Sequence, residues 1–195
     1  MSRSTIFSGI PLFALIALIA GSDAQIACAV PEHKIAPAAL KLGIYSNTEA
    51  DARKFAQTFY DWYIPDMTSN VPVPSSERML TQRAGLIDPV LRGLLKDDLL
   101  AAQETPDEVV GLDFDPYVNS QETPSKLKVG TVTRKGPNYL VSMDASDAKG
   151  VVTPELAYRN NSFVFVDFYY DYGKKDKQDN LLNILRTLRK QRQTK

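Results

Sequence analysis

The chain has 195 residues, 44% of them apolar and 24% charged, a balance that suits a folded domain and excludes wholesale disorder. Lys and Arg together number 23, as do Asp and Glu, so the net charge is zero, which argues against a nucleic-acid partner, since that normally requires a basic face. One Cys and one His rule out an internal disulfide, and they argue against a zinc site, a Ser-His-Asp device or a Cys-His device, because His33 sits in a Pro/Ala-rich stretch. No metal or cofactor is called for.

Residues 1–5 carry Arg3, residues 6–20 (IFSGIPLFALIALIA) are apolar without a break, and GSDAQIACA follows. Basic start, apolar centre and small-residue end are the order of a secretory signal peptide. A membrane-spanning helix needs about 20 apolar residues. This run is shorter and holds Gly9 and Pro11. The reading is export, with 1–24 as signal peptide and a secreted or periplasmic product. Two alternatives stand beside cleavage after Ala24. Cleavage after Ala29 discards Cys28. Lipidation of Cys28 would anchor the chain in the envelope; Ala27 suits a bacterial lipobox, whereas Gln25 stands where an aliphatic residue is expected.

Residues 25–45 are rich in Ala and Pro without a clean period and read as an extended lead-in. The remainder, 46–195, reads as one domain. Ser46 and Glu49 have the spacing of a capping box. Behind them Ala52, Phe55, Ala56, Phe59, Tyr60 and Tyr63 recur at helical spacing, predicting a helix over 48–63 that ends at Ile64-Pro65. Five aromatics within nine residues admit a ligand cage, but a helix face buried on a sheet explains them more simply. Residues 66–75 are loop, and a short helix over 76–84 stops at Gly85. Asp88-Pro89 starts the next helix as cap and first position. Leu91, Leu94, Leu95, Leu99 and Ala102 form its buried stripe; Asp98 falls near that stripe and is read as a rim residue.

From Leu127 the period changes to two. Residues 128–133 and 139–144 flank RKGPN and predict a hairpin. Residues 151–159 and 162–170 meet at Asn160-Asn161, residue types that tolerate a left-handed turn. Asn160-Asn161-Ser162 has the form of a glycosylation sequon, without meaning in a bacterial chain. Asp179 caps a last helix with Leu181, Ile184, Leu185 and Leu188 on one side. Its end carries Arg186, Arg189, Lys190, Arg192 and Lys195, read as a solvated face that suits the helix macrodipole. Helices, then strands, then a closing helix predict an α+β fold: N-terminal helices packed on a curved antiparallel sheet of about four strands, with a C-terminal helix.

The candidate binding residues lie in two stretches. Residues 110–122 read VGLDFDPYVNSQE. Acid-x-acid followed by Asn and Glu invites a calcium reading, but an EF-hand loop needs Gly at its sixth position and Glu at its twelfth. Counted from Asp113 these are Val118 and Pro124, so the metal reading fails. Asp113 and Asp115 read instead as residues whose carboxylates bond nearby backbone and fix the Pro116 turn, with Phe114 and Tyr117 pinning the loop. Asp113, Asp115, Tyr117 and Asn119 are candidate binding residues on this account.

The second stretch is SFVFVDFYYDY, 162–172. Strict alternation places Val164, Val166, Phe168 and Tyr170 on one face and Phe163, Phe165, Asp167 and Tyr169 on the other. A carboxylate in such a strand needs a partner. Arg159 or Arg134 is expected to form an ion pair with Asp167.

GLDFDP with a following N-S-Q, after a helix over 91–103 and before V-G-T-V-type strands, resembles the bacterial family called domain of unknown function 3828. FYDWY at 59–63 belongs to the same resemblance, which extends to the helix over 181–188. It implies an exported protein with no established activity, similar in architecture to the nuclear transport factor two-like fold, in which a bent sheet and its helices form a cone with a pocket. The W-x-I-x-D-I ending common in such folds is replaced here by FVFVDFYYD, with Asp167 in a comparable acidic position.

Three functions follow. The first is a non-catalytic binding or interaction module whose partner is a protein or small molecule of the envelope, in keeping with the missing nucleophile motifs. The second is a small enzyme with Asp167 as base and Tyr169 as proton donor. The third is a structural envelope protein anchored through Cys28.

Overall fold

The structure is a computed structural model that describes residues 45–104, 110–146, 151–171 and 179–194, all within the unit Ala39–Lys195. Cys28, His33 and the predicted leader lie outside the described residues. The elements are α1 (Glu49–Met67), α2 (Ser75–Gln82), a 3-10 turn (Ala84–Leu86), α3 (Pro89–Glu104), β1 (Lys128–Lys135), β2 (Asn138–Asp144), β3 (Thr153–Arg159), β4 (Ser162–Tyr170), β5 (Asp179–Asn180) and α4 (Leu181–Gln193). The five strands form one open antiparallel sheet in sequence order. The fold is α+β with a closing helix, as the change of period predicts, and β5 is an added edge strand.

Helix α1 is capped two residues later than the Ser46/Glu49 pattern suggests. Thr48 is the cap: its hydroxyl accepts the Asp51 N–H at 3.2 Å, while the Asp51 carboxylate reaches back to the Ser46 N–H at 2.9 Å. The helix also continues past Pro65 to Met67. Proline near a helix end removes one hydrogen bond without forbidding the last few residues. The face Phe55, Phe59, Tyr63 lies on the sheet, with the Phe59 ring 4.7 Å from that of Phe165 and Phe55 5.3 Å from it. The aromatic run is core.

The tight turns behave as their residues dictate. Gly136 (φ 58°) lies in the two-residue connection between β1 and β2, and Asn160 and Asn161 (φ 50° and 62°) join β3 to β4. Gln57 of α1 satisfies the start of β1: its amide accepts the Val129 N–H at 2.9 Å and donates to the Leu127 carbonyl at 3.1 Å. These two backbone groups at the start of the edge strand are thereby occupied.

Strand β4 departs from strict alternation. Glu155 pairs with Asp167 and Leu156 with Phe165, which leaves Val166 as an extra residue in a bulge. A one-residue slip exchanges the two faces beyond it. Phe163 and Phe165 before the bulge, and Phe168 and Tyr170 after it, therefore all join the core. Phe165 and Phe168 even stack at 5.1 Å. Asp167 and Tyr169 fall on the opposite face, together with Val164. The predicted division of faces is thus correct up to Val166 and inverted after it.

Candidate functional site

The 110–121 loop is held at both ends and in the middle. At its start Gly111 takes φ 94°, and the Leu112 N–H donates to Asp98 Oδ2 at 2.9 Å. A Cβ at Gly111 would stand 2.8 Å from that same oxygen, so only glycine fits. Asp98 is buried, not a rim residue, and its other oxygen accepts Arg192 Nη1 of α4 at 2.7 Å. One carboxylate thus ties α3, α4 and the loop together.

In the middle, Asp115 builds the turn. Its Oδ1 accepts the Tyr117 N–H at 2.9 Å, its carbonyl accepts Asn119 N–H at 2.9 Å, and its own N–H donates to Ser120 at 2.9 Å. This is the backbone-bonding role expected of it. Three tyrosine hydroxyls then clamp the turn from the core side. Tyr63 donates to Asp115 Oδ2 at 2.6 Å, Tyr60 to the Tyr117 carbonyl at 2.8 Å, and Tyr170 to the Pro116 carbonyl at 2.9 Å. Burial raises the Asp115 carboxyl, while hydrogen bonds from Tyr63 and the backbone lower it; the net shift is upward. Phe114 lies edge-on to Tyr170 at 5.4 Å, and Tyr117 is enclosed by Phe59, Tyr63 and Phe168. Asn119 takes φ 55° and donates to the Val151 carbonyl at 3.2 Å, so it holds the loop against the chain before β3.

The facing wall is equally fixed. Arg78 of α2 is buried, and its guanidinium reaches Asp66 Oδ2 at 2.7 Å, the hydroxyls of Ser69 and Ser75 at 3.0 Å each, and the Val73 carbonyl. Between this wall and the loop lies a shallow cleft of about 550 Å³, wide open to solvent, with Met67, Leu112 and Phe114 as apolar surface and Ser76, Asp113, Asp115 and Gln121 as polar surface. Asp113 is exposed, and its carbonyl, not its carboxylate, accepts from Gln121 at 3.1 Å. Of the sequence candidates, Asp113 and Asp115 line the cleft; Tyr117 lies behind it and Asn119 outside it. Among the described residues no group of three potential ligands gathers as a metal site.

Asp167 and Tyr169 belong to a separate cluster on the second sheet face. The Tyr169 hydroxyl meets Lys135 Nζ at 2.6 Å and Glu155 Oε2 at 2.9 Å, Lys135 meets Glu155 at 3.0 Å, and Asn138 donates to Glu155 Oε1 at 2.6 Å. Burial works to raise Glu155, but its three donors outweigh that and hold its carboxyl below the ordinary value. The expected ion pair of Asp167 with Arg159 or Arg134 is not formed. Arg159 bonds Asp88, and Arg134 lies over the Tyr139 ring at 5.5 Å and donates to the Gly136 carbonyl. Instead Asp167 Oδ1 accepts two backbone N–H groups, Phe168 at 2.8 Å and Leu182 at 3.0 Å. Leu182 is in the first turn of α4, where N–H groups have no intrahelical acceptor, and this supplies what an arginine was expected to. Burial pushes the Asp167 carboxyl up to about 6, against these two bonds.

Sequence reasoning missed Lys135, Asn138, Glu155 and Arg78. Glu155 alone left a signal, as an acid between the apolar residues of β3. Comparison with protein-family models, with curated proteins and with solved structures finds no match to this chain.

Proposed function

We propose that this chain is an exported, non-catalytic binding module of the bacterial envelope, which holds a small molecule or a segment of a partner protein in the cleft between α2 and the 110–121 loop. The observation that carries this reading is a cleft of about 550 Å³ with both walls pinned by hydrogen bonds and a mixed apolar and polar lining. Ligand sites occupy roughly 300–1,000 Å³ and favour pre-formed walls. The carboxylates nearest to catalytic use are already engaged: Asp115 by Tyr63 and backbone, Glu155 by Lys135, Asn138 and Tyr169. The apolar run at 6–20 supports export, and the resemblance to domain of unknown function 3828, with its pocketed nuclear transport factor two-like architecture, agrees with a binding role. The test is capture from envelope extract with Asp113→Ala as control. A partner or ligand retained by wild type and lost by the variant supports the reading; recovery of the same material by both removes it.

The second reading is an acid-base enzyme using Asp167 and Tyr169. It is favoured by a carboxyl raised to about 6, on the same face as a tyrosine hydroxyl set between an ammonium and a carboxylate. Carbon-detected titration of Asp167 decides it, because a midpoint in the ordinary carboxyl range leaves no base near neutral pH. Anchoring through Cys28 is tested by mass spectrometry of the mature N-terminus; a start at Gln25 or Val30 excludes it.

A further inference from the structure

Helices α3 and α4 are tied together through Asp98 and Arg192, and beside that tie a groove of about 400 Å³, open to solvent, runs between them. Pro89, Val90, Gly93 and Leu94 of α3 are its apolar side. Arg186, Arg189 and Lys190 of α4 are its basic side, and Asp97 is the one acid among the lining residues.

The apolar side carries two features that the fold itself does not use. Gly93 sits in the middle of α3, where glycine weakens a helix relative to alanine. A Cβ built there meets no atom within 4 Å, so no neighbour demands the small residue. What the glycine does is leave helix backbone bare at the groove. Three residues before it, Val90 is 59% exposed, more than any other large apolar side chain among the described residues.

The cations are equally uncommitted. Arg186 and Lys190 meet no carboxylate among the described residues. Arg189 reaches Asp97 at 3.4 Å, but both side chains are about half exposed, and such a pair holds weakly. Asp88, just before α3, is already taken by Arg159 and the Val90 N–H. A chain of zero net charge thus gathers positive charge beside exposed apolar surface at this one groove.

We propose that the groove is a second binding site, independent of the cleft, for a single-chain anionic amphiphile: an alkyl phosphate monoester. The alkyl chain lies against Val90, Gly93 and Leu94, and the phosphate meets Arg186, Arg189 and Lys190. Three cations against one acid favour a phosphate monoester, close to a dianion at neutral pH, over a carboxylate. From Pro89 to Asp97 the helix rises about 12 Å, the span of an alkyl chain of about eight carbons with its headgroup. A bilayer surface would meet the basic side but would make no use of Gly93, because a flat surface does not reach bare backbone between two helices.

The probes are octyl phosphate, octan-1-ol and inorganic phosphate, titrated below micelle-forming concentration into the isotope-labelled full chain, with amide shifts as readout. Octyl phosphate should saturate and bind at least about tenfold tighter than either of the others. Its shifts should gather at Val90, Gly93, Arg186 and Arg189, with Ser76 and Gln121 of the cleft unmoved. Arg186→Gln combined with Lys190→Gln removes two exposed charges, and should weaken octyl phosphate about tenfold while leaving octan-1-ol unchanged. Gly93→Leu, whose side chain enters open space, should keep or raise the thermal midpoint and weaken both alkyl probes. No saturable binding of octyl phosphate, binding no tighter than that of inorganic phosphate, or an affinity unchanged in either variant overturns the proposal. Binding confined to phosphatidylglycerol vesicles and indifferent to Gly93→Leu would mark a membrane contact instead, and overturns it too. Shifts at Ser76 and Gln121 alone would assign the amphiphile to the cleft and leave the groove without a ligand.

Discussion

The Tyr63 hydroxyl donates to Asp115 Oδ2 at 2.6 Å, and through that bond α1 holds the loop that walls the cleft. Tyr63→Phe keeps the ring packing and leaves one buried carboxylate oxygen without its donor. We expect a loss of about 1–3 kcal/mol in urea unfolding. Amide exchange at Val118 and Asn119, whose N–H groups close the turn on the Asp115 carbonyl, should accelerate more than exchange in β2. Uniform acceleration would show that the hydroxyl supports the whole domain and not the loop.

Asp167 gives a pH dependence of defined sign. Its folded value, about 6, lies above the ordinary 3.8, so between these values the folded state holds the proton more tightly than the unfolded chain. The stability due to this group is therefore present below about pH 4 and is lost as the pH rises through 6. Asp167→Asn keeps an oxygen for the Phe168 and Leu182 N–H groups and removes the charge. It should match wild type near pH 4 and exceed it by roughly 1–2 kcal/mol at pH 7.5, after allowance for solvent screening. Thermal melts at the two pH values check this. A variant less stable at both would mean that the negative charge at the start of α4 is itself the stabilising feature.

The junction of α3, α4 and the loop makes a third prediction. Arg192→Ala removes the cation from Asp98, a buried carboxylate, and should cost about 2–4 kcal/mol. Adding Asp98→Asn should recover part of that loss, because the uncompensated charge disappears. Gly111→Ala should cost at least about 2 kcal/mol, through the φ of 94° together with the clash at Asp98. Denaturant unfolding of the three variants separates these effects. An Arg192→Ala variant as stable as wild type would leave the ion pair without structural weight.

The order of elements was legible because the hydrophobic period changes to two at Leu127 and back to helical spacing after Asp179, and because Pro89, Gly136 and Asn160-Asn161 mark ends and turns by their own backbone preferences. The backbone-bonding role of Asp115 was legible for the same reason: an Asp two residues before its bonded N–H is a local event. The bulge at Val166 was not. It depends on how β3 and β4 align, and the apolar sequence of β4 accepts either register. Partner choice failed likewise. Arg159 pairs with Ser162 beside the turn, five residues along β4 from Asp167, and Asp88, distant in sequence, is the carboxylate that meets it once α3 docks against β4. The rim placement of Asp98 failed because Arg192, nearly a hundred residues away, makes burial tolerable. In the candidate site, the loop was visible in the sequence and the facing wall was not, since Arg78 acts through loop carbonyls and hydroxyls that carry no pattern.

The central claim, ligand binding in the cleft, is tested most directly by titrating isotope-labelled protein with fractionated envelope extract and mapping amide shifts. The account predicts saturable shifts at Ser76, Leu112, Phe114 and Gln121, absent in Asp113→Ala, with Lys135, Glu155 and Tyr169 unmoved. Shifts gathered at Lys135, Glu155 and Tyr169, with the cleft silent, would contradict it.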